Sequence, residues 1–173
     1  MFHCAFCDGW EVRDRPLAFH GSGPAAVRSA LILAGWSNDV VLCTDGAPDP
    51  GGAVLADAGV RVRTEPIARL AGADGRLERI EFAHGPAERR EALFVNTRRD
   101  QPNNLAATLG CELTDAGTIV TDADGRTTVA GVYAAGDAAT AHSRSVANAI
   151  GTGSRVAYAV ALDRVAPVVA AAA

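Results

Sequence analysis

LAFHGSGPAAVRSALILAGW, residues 17–36, passes from a short apolar run through a glycine turn into an apolar segment of helical length. Strand, tight turn and helix follow in that order. Residues 39–43, DVVLC, read as a second buried strand, closed by Thr44-Asp45-Gly46 and by Pro48 and Pro50, and the whole is one βαβ unit. Within it Gly21, Gly23 and Ala26 meet the G-x-G-x-x-G/A spacing directly after a strand and at the opening of a helix. Those residue types let the backbone approach a pyrophosphate at the positive end of a helix. A purely structural glycine turn is the alternative. Pro24 suits the first turn of a helix, where its missing N–H costs nothing.

Downstream, residues 53–58 read as a helix and 60–63 alternate as a strand. Residues 67–70 and 77–82 flank Ala73-Asp74-Gly75-Arg76, a hairpin signal built on Asp-Gly, and 92–95 form another strand. The composition then turns polar in Thr-Arg-Arg-Asp-Gln-Pro-Asn-Asn, which places a boundary or hinge near residue 97. Beyond it the pattern predicts a short helix over 105–109, a strand over 118–120, a turn at Asp124-Gly125, a strand over 131–135 and a long helix over 145–164. The Val- and Ala-rich tail is expected to fray. No internal repeat stands out. The fold class is α/β: a three-layer domain with a parallel sheet and an antiparallel hairpin layer over residues 60–95.

The composition narrows the function classes. The chain has 173 residues, 49% hydrophobic and 21% charged, enough for one full domain or two small units but not for two complete nucleotide-binding domains. A net charge of −4 with no basic run longer than a pair argues against a nucleic-acid partner. No apolar stretch reaches the roughly 18 to 20 residues that span a bilayer, and the N-terminus lacks the order of a signal peptide, so the expected compartment is the cytoplasm.

Three groups of residues carry candidate chemistry. Cys4 and Cys7 stand three apart in His3-Cys4-Ala5-Phe6-Cys7-Asp8-Gly9, a spacing that closes a small disulfide and allows a thiolate to attack a partner's disulfide. Asp8 beside them is placed to shuttle the proton of that chemistry, or else to cap a helix. A zinc site is the competing reading, but the remaining His and Cys residues are scattered. Cys43 and Cys111 read as small hydrophobes. Asp45, twenty-four residues after Gly21 at the end of the second strand, either accepts from a ribose 2′-hydroxyl, which favours NADH over NADPH, or merely starts a turn. Finally, residues 131–137, GVYAAGD, form an apolar strand ending in Gly136-Asp137, where a carboxylate can meet a sugar-like hydroxyl.

Together these stretches resemble the low-molecular-weight thioredoxin reductases and their thioredoxin reductase-like relatives, within the pyridine nucleotide-disulfide oxidoreductases. CAFCDGWEVRDRPLAFHGSGPAA is similar to the redox-active Cys-x-x-Cys-Asp-Gly of that family followed by the glycine turn of its nicotinamide domain, and GVYAAGDAATAHSRSVANAIGTGSRVA to its flavin-binding C-terminal segment. The resemblance implies a Rossmann-like nicotinamide-nucleotide-binding domain with the Cys pair over residues 1–97 and the C-terminal segment of an FAD-binding domain over 98–173. It implies FAD and NAD(P)H as cofactors, and a thioredoxin-like protein or small dithiol or disulfide as substrate. Cys7 would face the flavin, Cys4 would attack the substrate and Asp8 would be the acid–base partner. Gly136 and Asp137 would hold the ribityl-phosphate region of FAD. Arg144, Ser145 and Val146 would lie along the ring, with the long helix aiming its N-terminus at the pyrimidine end. A hinge at 96–100 would present either the dithiol or the nicotinamide to the flavin.

Three departures qualify the family pattern. No FAD-binding glycine fingerprint precedes Cys4, so the resemblance predicts a chain that lacks the N-terminal flavin half and either dimerises or associates with a partner supplying it. Thr44-Asp45-Gly46 replaces a His-Arg-Arg signature, exchanging two cations for one anion and disfavouring NADPH. Ser145 stands where a glutamine is common. The last two changes also resemble dithiol oxidases, which pass electrons from a small dithiol to oxygen. The reading from a different class is a non-catalytic nucleotide-binding module with an exposed apolar face.

Overall fold

The structure is a computed structural model and describes residues 1–97, 101–140 and 144–172. The chain divides into two compact units, Met1–Arg98 and Arg99–Ala173. The expected hinge falls largely on residues 98–100 and part of the spacer after Asp137 on 141–143, both outside the described residues.

In chain order the first unit contains α1 (Ala5–Asp8), a 3-10 turn (Trp10–Val12), β1 (Leu17–His20), α2 (Gly23–Ala34), β2 (Val40–Cys43), α3 (Gly52–Asp57), β3 (Val60–Arg63), β4 (Ile67–Ala73), β5 (Arg76–Phe82), β6 (Glu88–Arg89) and β7 (Ala92–Val95). Four strands pair in parallel in the order β3-β2-β1-β7, and β4-β5-β6 form a separate antiparallel sheet. The inner strands β1 and β2 and the edge strand β7 are near-continuous apolar runs because both faces of the sheet are covered there, while the edge strand β3 alternates valine with arginine. On one face Leu17, Phe19, Val40, Leu42 and Phe94 pack with Ala26, Ala30 and Leu33 of α2. On the other, Ala18, Val41, Cys43 and Leu93 meet Ile80 and Phe82 of β5. Helix, parallel sheet and antiparallel sheet are therefore the three layers of an α/β fold. Full burial of a leucine such as Leu33 contributes about 2 kcal/mol to holding them together.

The β4–β5 hairpin turns at Asp74 and Gly75, both at positive φ (50° and 74°), the conformation that Asp-Gly supplies to a two-residue turn. The third strand of that sheet, β6, has only two residues and left no periodic signal. Its Glu88 is the centre of an ion-pair cluster linking the two sheets. Glu88 Oε1 accepts from Arg61 at 3.1 Å and Arg63 at 2.8 Å, and Oε2 from Arg90 at 2.6 Å. Asp39 takes a second bond from Arg90 at 2.8 Å. Arg90 is only 2% exposed, and the Arg63 guanidinium also lies 4.1 Å from the centre of the Phe82 ring.

The second unit contains α4 (Leu105–Thr108), a 3-10 turn (Gly136–Ala138) and the long helix α5 (Val146–Ala172). Two expectations are corrected here. The strands foreseen over 118–120 and 131–135 form only isolated antiparallel bridges, Leu113 with Ile119, Thr121 with Thr127 and Arg126 with Tyr133. Apolar alternation makes a segment strand-competent, but a ladder needs an equally long neighbour, and none lies beside them among the described residues of this unit. The tail expected to fray continues α5 to Ala172, through Pro167. Its alanines keep helix propensity high, and a single proline removes one hydrogen bond from a helix of 27 residues. The Tyr133 hydroxyl donates to Asp163 at 2.7 Å and Arg126 grips the same carboxylate at 2.7 and 2.9 Å, tying the bridged loops to α5. Val146 and Ile150, and after a gap at Ser154 the residues Tyr158, Leu162, Val165 and Val169, follow at spacings of three and four along α5 and are exposed. No helix among the described residues is long and apolar enough to cross a membrane.

Candidate functional site

Cys4 and Cys7 are joined as a disulfide with their Cα atoms 5.3 Å apart, a separation that a disulfide spans readily. Cys4 is the extended N-cap of the one-turn helix α1, and its carbonyl accepts from the N–H groups of Cys7 at 3.2 Å and Asp8 at 3.1 Å. Cys4 and Asp8 are half-buried while Cys7 is exposed.

Contacts distant in sequence hold this turn at both ends. Before it, Phe2 adds to β7 as a parallel bridge partner of Phe94, with hydrogen bonds of 2.9 Å to Leu93 and from Val95 and with the two rings 5.3 Å apart. After it, Gly9 lies so close to Trp36 that a Cβ there would stand 2.6 Å from the indole nitrogen. The glycine of Cys-x-x-Cys-Asp-Gly is thus a packing requirement, met by a tryptophan just beyond the end of α2. Phe6 and Trp10 beside the disulfide are exposed, and the Arg13 guanidinium sits 3.9 Å from the Trp10 ring centre. Trp36 and Phe2 were missed in the sequence because nothing local distinguishes them from ordinary core residues.

The glycine turn follows β1 directly. The Gly21 N–H donates to the Cys43 carbonyl at 3.1 Å, and a Cβ on Gly21 would lie 3.3 Å from the methyl of Ala26, which is fully buried. Gly23 has a φ of +70°, which favours glycine, and the space its missing Cβ would fill is open. Asp45, two residues past β2, also has a positive φ (52°); its Oδ1 accepts from the Ile67 N–H at 2.7 Å and its Oδ2 lies 3.5 Å from His20 Nε2. The structure therefore gives Asp45 a bracing role in the β2 turn whatever it binds. Gly21, Gly23, Ala26 and Asp45 gather at the carboxyl edge of the parallel sheet, where β1 lies between β2 and β7 and the strand order reverses, the place where open α/β sheets take ligands.

The remaining candidates lie in the second unit. The Gly136 N–H donates to the Thr152 hydroxyl at 3.0 Å, which docks the Gly136-Asp137 turn on α5 and leaves Asp137 exposed. Arg144 Nε donates to the Thr140 carbonyl at 3.0 Å. Ser145 Oγ accepts from the Asn148 N–H at 3.1 Å, so Ser145 caps α5 and Val146 opens it, 77% exposed. Asn148 Nδ2 is buried with no hydrogen-bond partner among the described residues. Thr152 and Asn148 were not singled out in the sequence, although both lie within the stretch that carries the family resemblance. Cys43 and Cys111 are free and buried, and burial pushes the Cys43 thiol up to about 12, which keeps it inert near neutral pH.

Residues 52–153 match the profile of the pyridine nucleotide-disulphide oxidoreductases. The F component of alkyl hydroperoxide reductase from Pseudomonas putida is 27% identical over 168 residues, 91% of this chain and 32% of that protein. Among solved structures, HlmI superposes with a TM-score of 0.88 at 37% identity, covering 98% of this chain and 54% of that one. TrxB of Bacillus anthracis, named as a thioredoxin reductase, superposes at 0.85 with 32% identity, covering 94% and 55%. The chain thus spans about a third of the curated relatives it matches and just over half of these structures. With its Cys-x-x-Cys turn, glycine turn and three-layer fold, the chain belongs to the pyridine nucleotide-disulphide oxidoreductase family, on its thioredoxin reductase-like side.

Proposed function

We propose that this chain carries the redox-active and nucleotide-binding parts of an FAD-dependent disulfide oxidoreductase that moves electrons between NADH, flavin and the Cys4–Cys7 pair to a thiol substrate in the cytoplasm. The observation that carries the reading is a disulfide on a turn anchored within the same unit as the glycine turn. Cys4 is the attacking thiol. As a thiolate at the N-cap of α1, it attacks one sulfur of the substrate disulfide and expels the other, which takes a proton from Asp8. Cys7 then closes on the mixed disulfide, releases the second substrate thiolate and restores the Cys4–Cys7 bond. FAD, when bound, supplies the two-electron chemistry that reduces this bond again.

The residues present suit both cofactors. Open space at Gly23 leaves the backbone accessible to a pyrophosphate, and Asp45 presents negative charge where a 2′-phosphate would sit, favouring NADH over NADPH. At the start of α5 Asn148 Nδ2, a buried donor with no partner among the described residues, lies near Arg144, Ser145 and Val146, where a ring carbonyl would serve as its acceptor, while Gly136 and the exposed Asp137 would hold the ribityl-phosphate region. A thioredoxin-like protein or a small dithiol or disulfide is the substrate class, and a second copy or a partner supplying further flavin contacts completes the enzyme. The second reading is a dithiol oxidase that needs no nicotinamide, and the engagement of Asp45 Oδ1 by Ile67 favours it.

The test is the visible absorption spectrum of the purified chain before and after FAD, followed by anaerobic addition of NADH or of a dithiol. A flavin band that survives desalting and bleaches with NADH supports the first reading. Bleaching only by dithiol, with colour returning in air, supports the oxidase. A colourless protein that retains no FAD refutes electron transfer through flavin by this chain and leaves thiol exchange alone.

A further inference from the structure

The Gly136–Ala138 turn is gripped on both sides of Asp137. Before it, Gly136 is buried at a φ of +64°, and a Cβ there would lie 3.4 Å from the methyl of Ala149, so the turn rests directly on α5. Thr152 joins the two: its hydroxyl accepts from the Gly136 N–H at 3.0 Å and donates to the Asn148 carbonyl at 2.8 Å. After it, the Ala138 carbonyl accepts from the Ile119 N–H at 2.8 Å and from Gln101 Nε2 at 3.0 Å. The same amide nitrogen of Gln101 donates to the Gly117 carbonyl at 3.1 Å, so both of its N–H bonds are engaged. Separate stretches of the second unit thus close on a turn whose middle side chain, Asp137, is left exposed.

We propose that Thr152 and Gln101 are positioning residues of the flavin site, which hold the backbone before and after Asp137 so that its carboxylate meets the ligand without the turn first having to order. This rests on the reading that Gly136 and Asp137 hold the ribityl-phosphate region of FAD, and deepens it by naming what aims the carboxylate. An exposed side chain on a loose turn loses conformational freedom when it meets a ligand, and a turn already fixed on both sides avoids that loss. Both residues act through the backbone of the turn rather than by contact with the ligand. One net hydrogen bond of ordinary strength is a factor of about five in the ratio of ordered to disordered turn, and the dissociation constant rises by up to that factor as the competent fraction falls.

The full chain is titrated with FAD, followed by the change in flavin fluorescence, in the parent, Thr152→Val, Thr152→Ser and Gln101→Met. The valine and methionine variants should raise the dissociation constant about three- to fivefold, while serine, which keeps the hydroxyl, should stay within about twofold of the parent. Tyr133→Phe removes a hydroxyl bond to Asp163 of α5 in the same unit without touching the turn, and should leave the affinity unchanged. In an Asp137→Ala background Thr152→Val should have an effect below about twofold, because the carboxylate it aims is gone. Without FAD, amide exchange at Gly136 should be faster in Thr152→Val than in the parent, which reads the clamp independently of the ligand. Parent-like affinity in both Thr152→Val and Gln101→Met, an equal loss in Tyr133→Phe, an effect that persists in full without Asp137, or unchanged exchange at Gly136 overturns the proposal while leaving the flavin reading intact. Failure of the parent to bind FAD overturns both.

Discussion

Glu88→Gln tests whether charge or shape joins the two sheets that carry the glycine turn. Burial would raise the Glu88 carboxyl, but hydrogen bonds from Arg63, Arg90 and Arg61 overcome this and hold it at about 2, against an ordinary 4.5. That difference corresponds to about 3 kcal/mol, and screening where the cluster opens to solvent reduces it to about 2 kcal/mol. Glutamine keeps the volume and one acceptor oxygen, so the loss reports the charge together with the one arginine hydrogen bond that the amide nitrogen cannot accept. Because the folded carboxyl is the stronger acid, its contribution is complete above the unfolded value near 4.5 and disappears as pH falls toward 2. Both tryptophans, Trp10 and Trp36, lie in the first unit, so urea unfolding followed by tryptophan fluorescence reports that unit without interference from α5. The variant should lose about 2 kcal/mol at pH 7 with an unchanged m-value, and the gap to the parent should close progressively below pH 4.5. A loss under about 0.5 kcal/mol at pH 7, or one that stays constant down to pH 2, would refute the electrostatic argument.

In the redox turn, Cys7→Ser should trap a stable mixed disulfide on Cys4 when treated with an oxidised substrate, visible as a mass increase, whereas Cys4→Ser should show no such adduct under the same brief exposure; the reverse pattern would assign the attack to Cys7. Gly9→Ala places a methyl against the Ala5 carbonyl oxygen and the Trp36 indole and should cost about 1–3 kcal/mol in the same fluorescence-detected unfolding; no loss would mean that both give way freely. Asp45→Arg should weaken NAD⁺ binding and improve NADP⁺ binding in calorimetry, and an unchanged affinity for both would leave Asp45 as a turn residue only.

The first unit was legible where local chemistry dictates backbone. Asp74-Gly75 supplies the two positive φ angles of a tight hairpin, Gly21 sits against Ala26 where a side chain would crowd, and Gly23 takes a positive φ that favours glycine. What the sequence could not disclose is held by distant partners. Arg61 and Glu88 meet across 27 residues, Gly9 and Trp36 across the whole of β1 and α2, and none of these pairs leaves a periodic trace. In the second unit, short apolar runs named segments over 118–120 and 131–135 as strands, but a strand is a relation between two segments, and the bridges at Ile119 and Tyr133 are as much of it as the described residues of this unit supply. The tail failed for the opposite reason: its monotony suggested fraying, while alanine continues a helix already nucleated upstream.

The two kinds of chemistry proposed for this chain therefore make different demands on it. The Cys4–Cys7 turn needs only α1, the Phe2 bridge to β7 and the contact of Gly9 with Trp36, all within one unit, so thiol exchange depends on contacts the chain already makes. The flavin contacts proposed above instead converge on the first turns of α5, a helix with exposed apolar residues from Val146 to Val169 and, at Asn148, a buried donor with no partner among the described residues. Uncovered apolar surface and an unsatisfied donor both lower the stability of that helix in isolation, and a ligand that satisfies the donor stabilises it by mass action. On the proposed reading, FAD binding and the order of α5 are thermodynamically linked. Saturating FAD should slow amide exchange at residues 146–152 while leaving β1 and β2 unchanged, and a chain in which FAD binds without protecting that segment would place the flavin elsewhere.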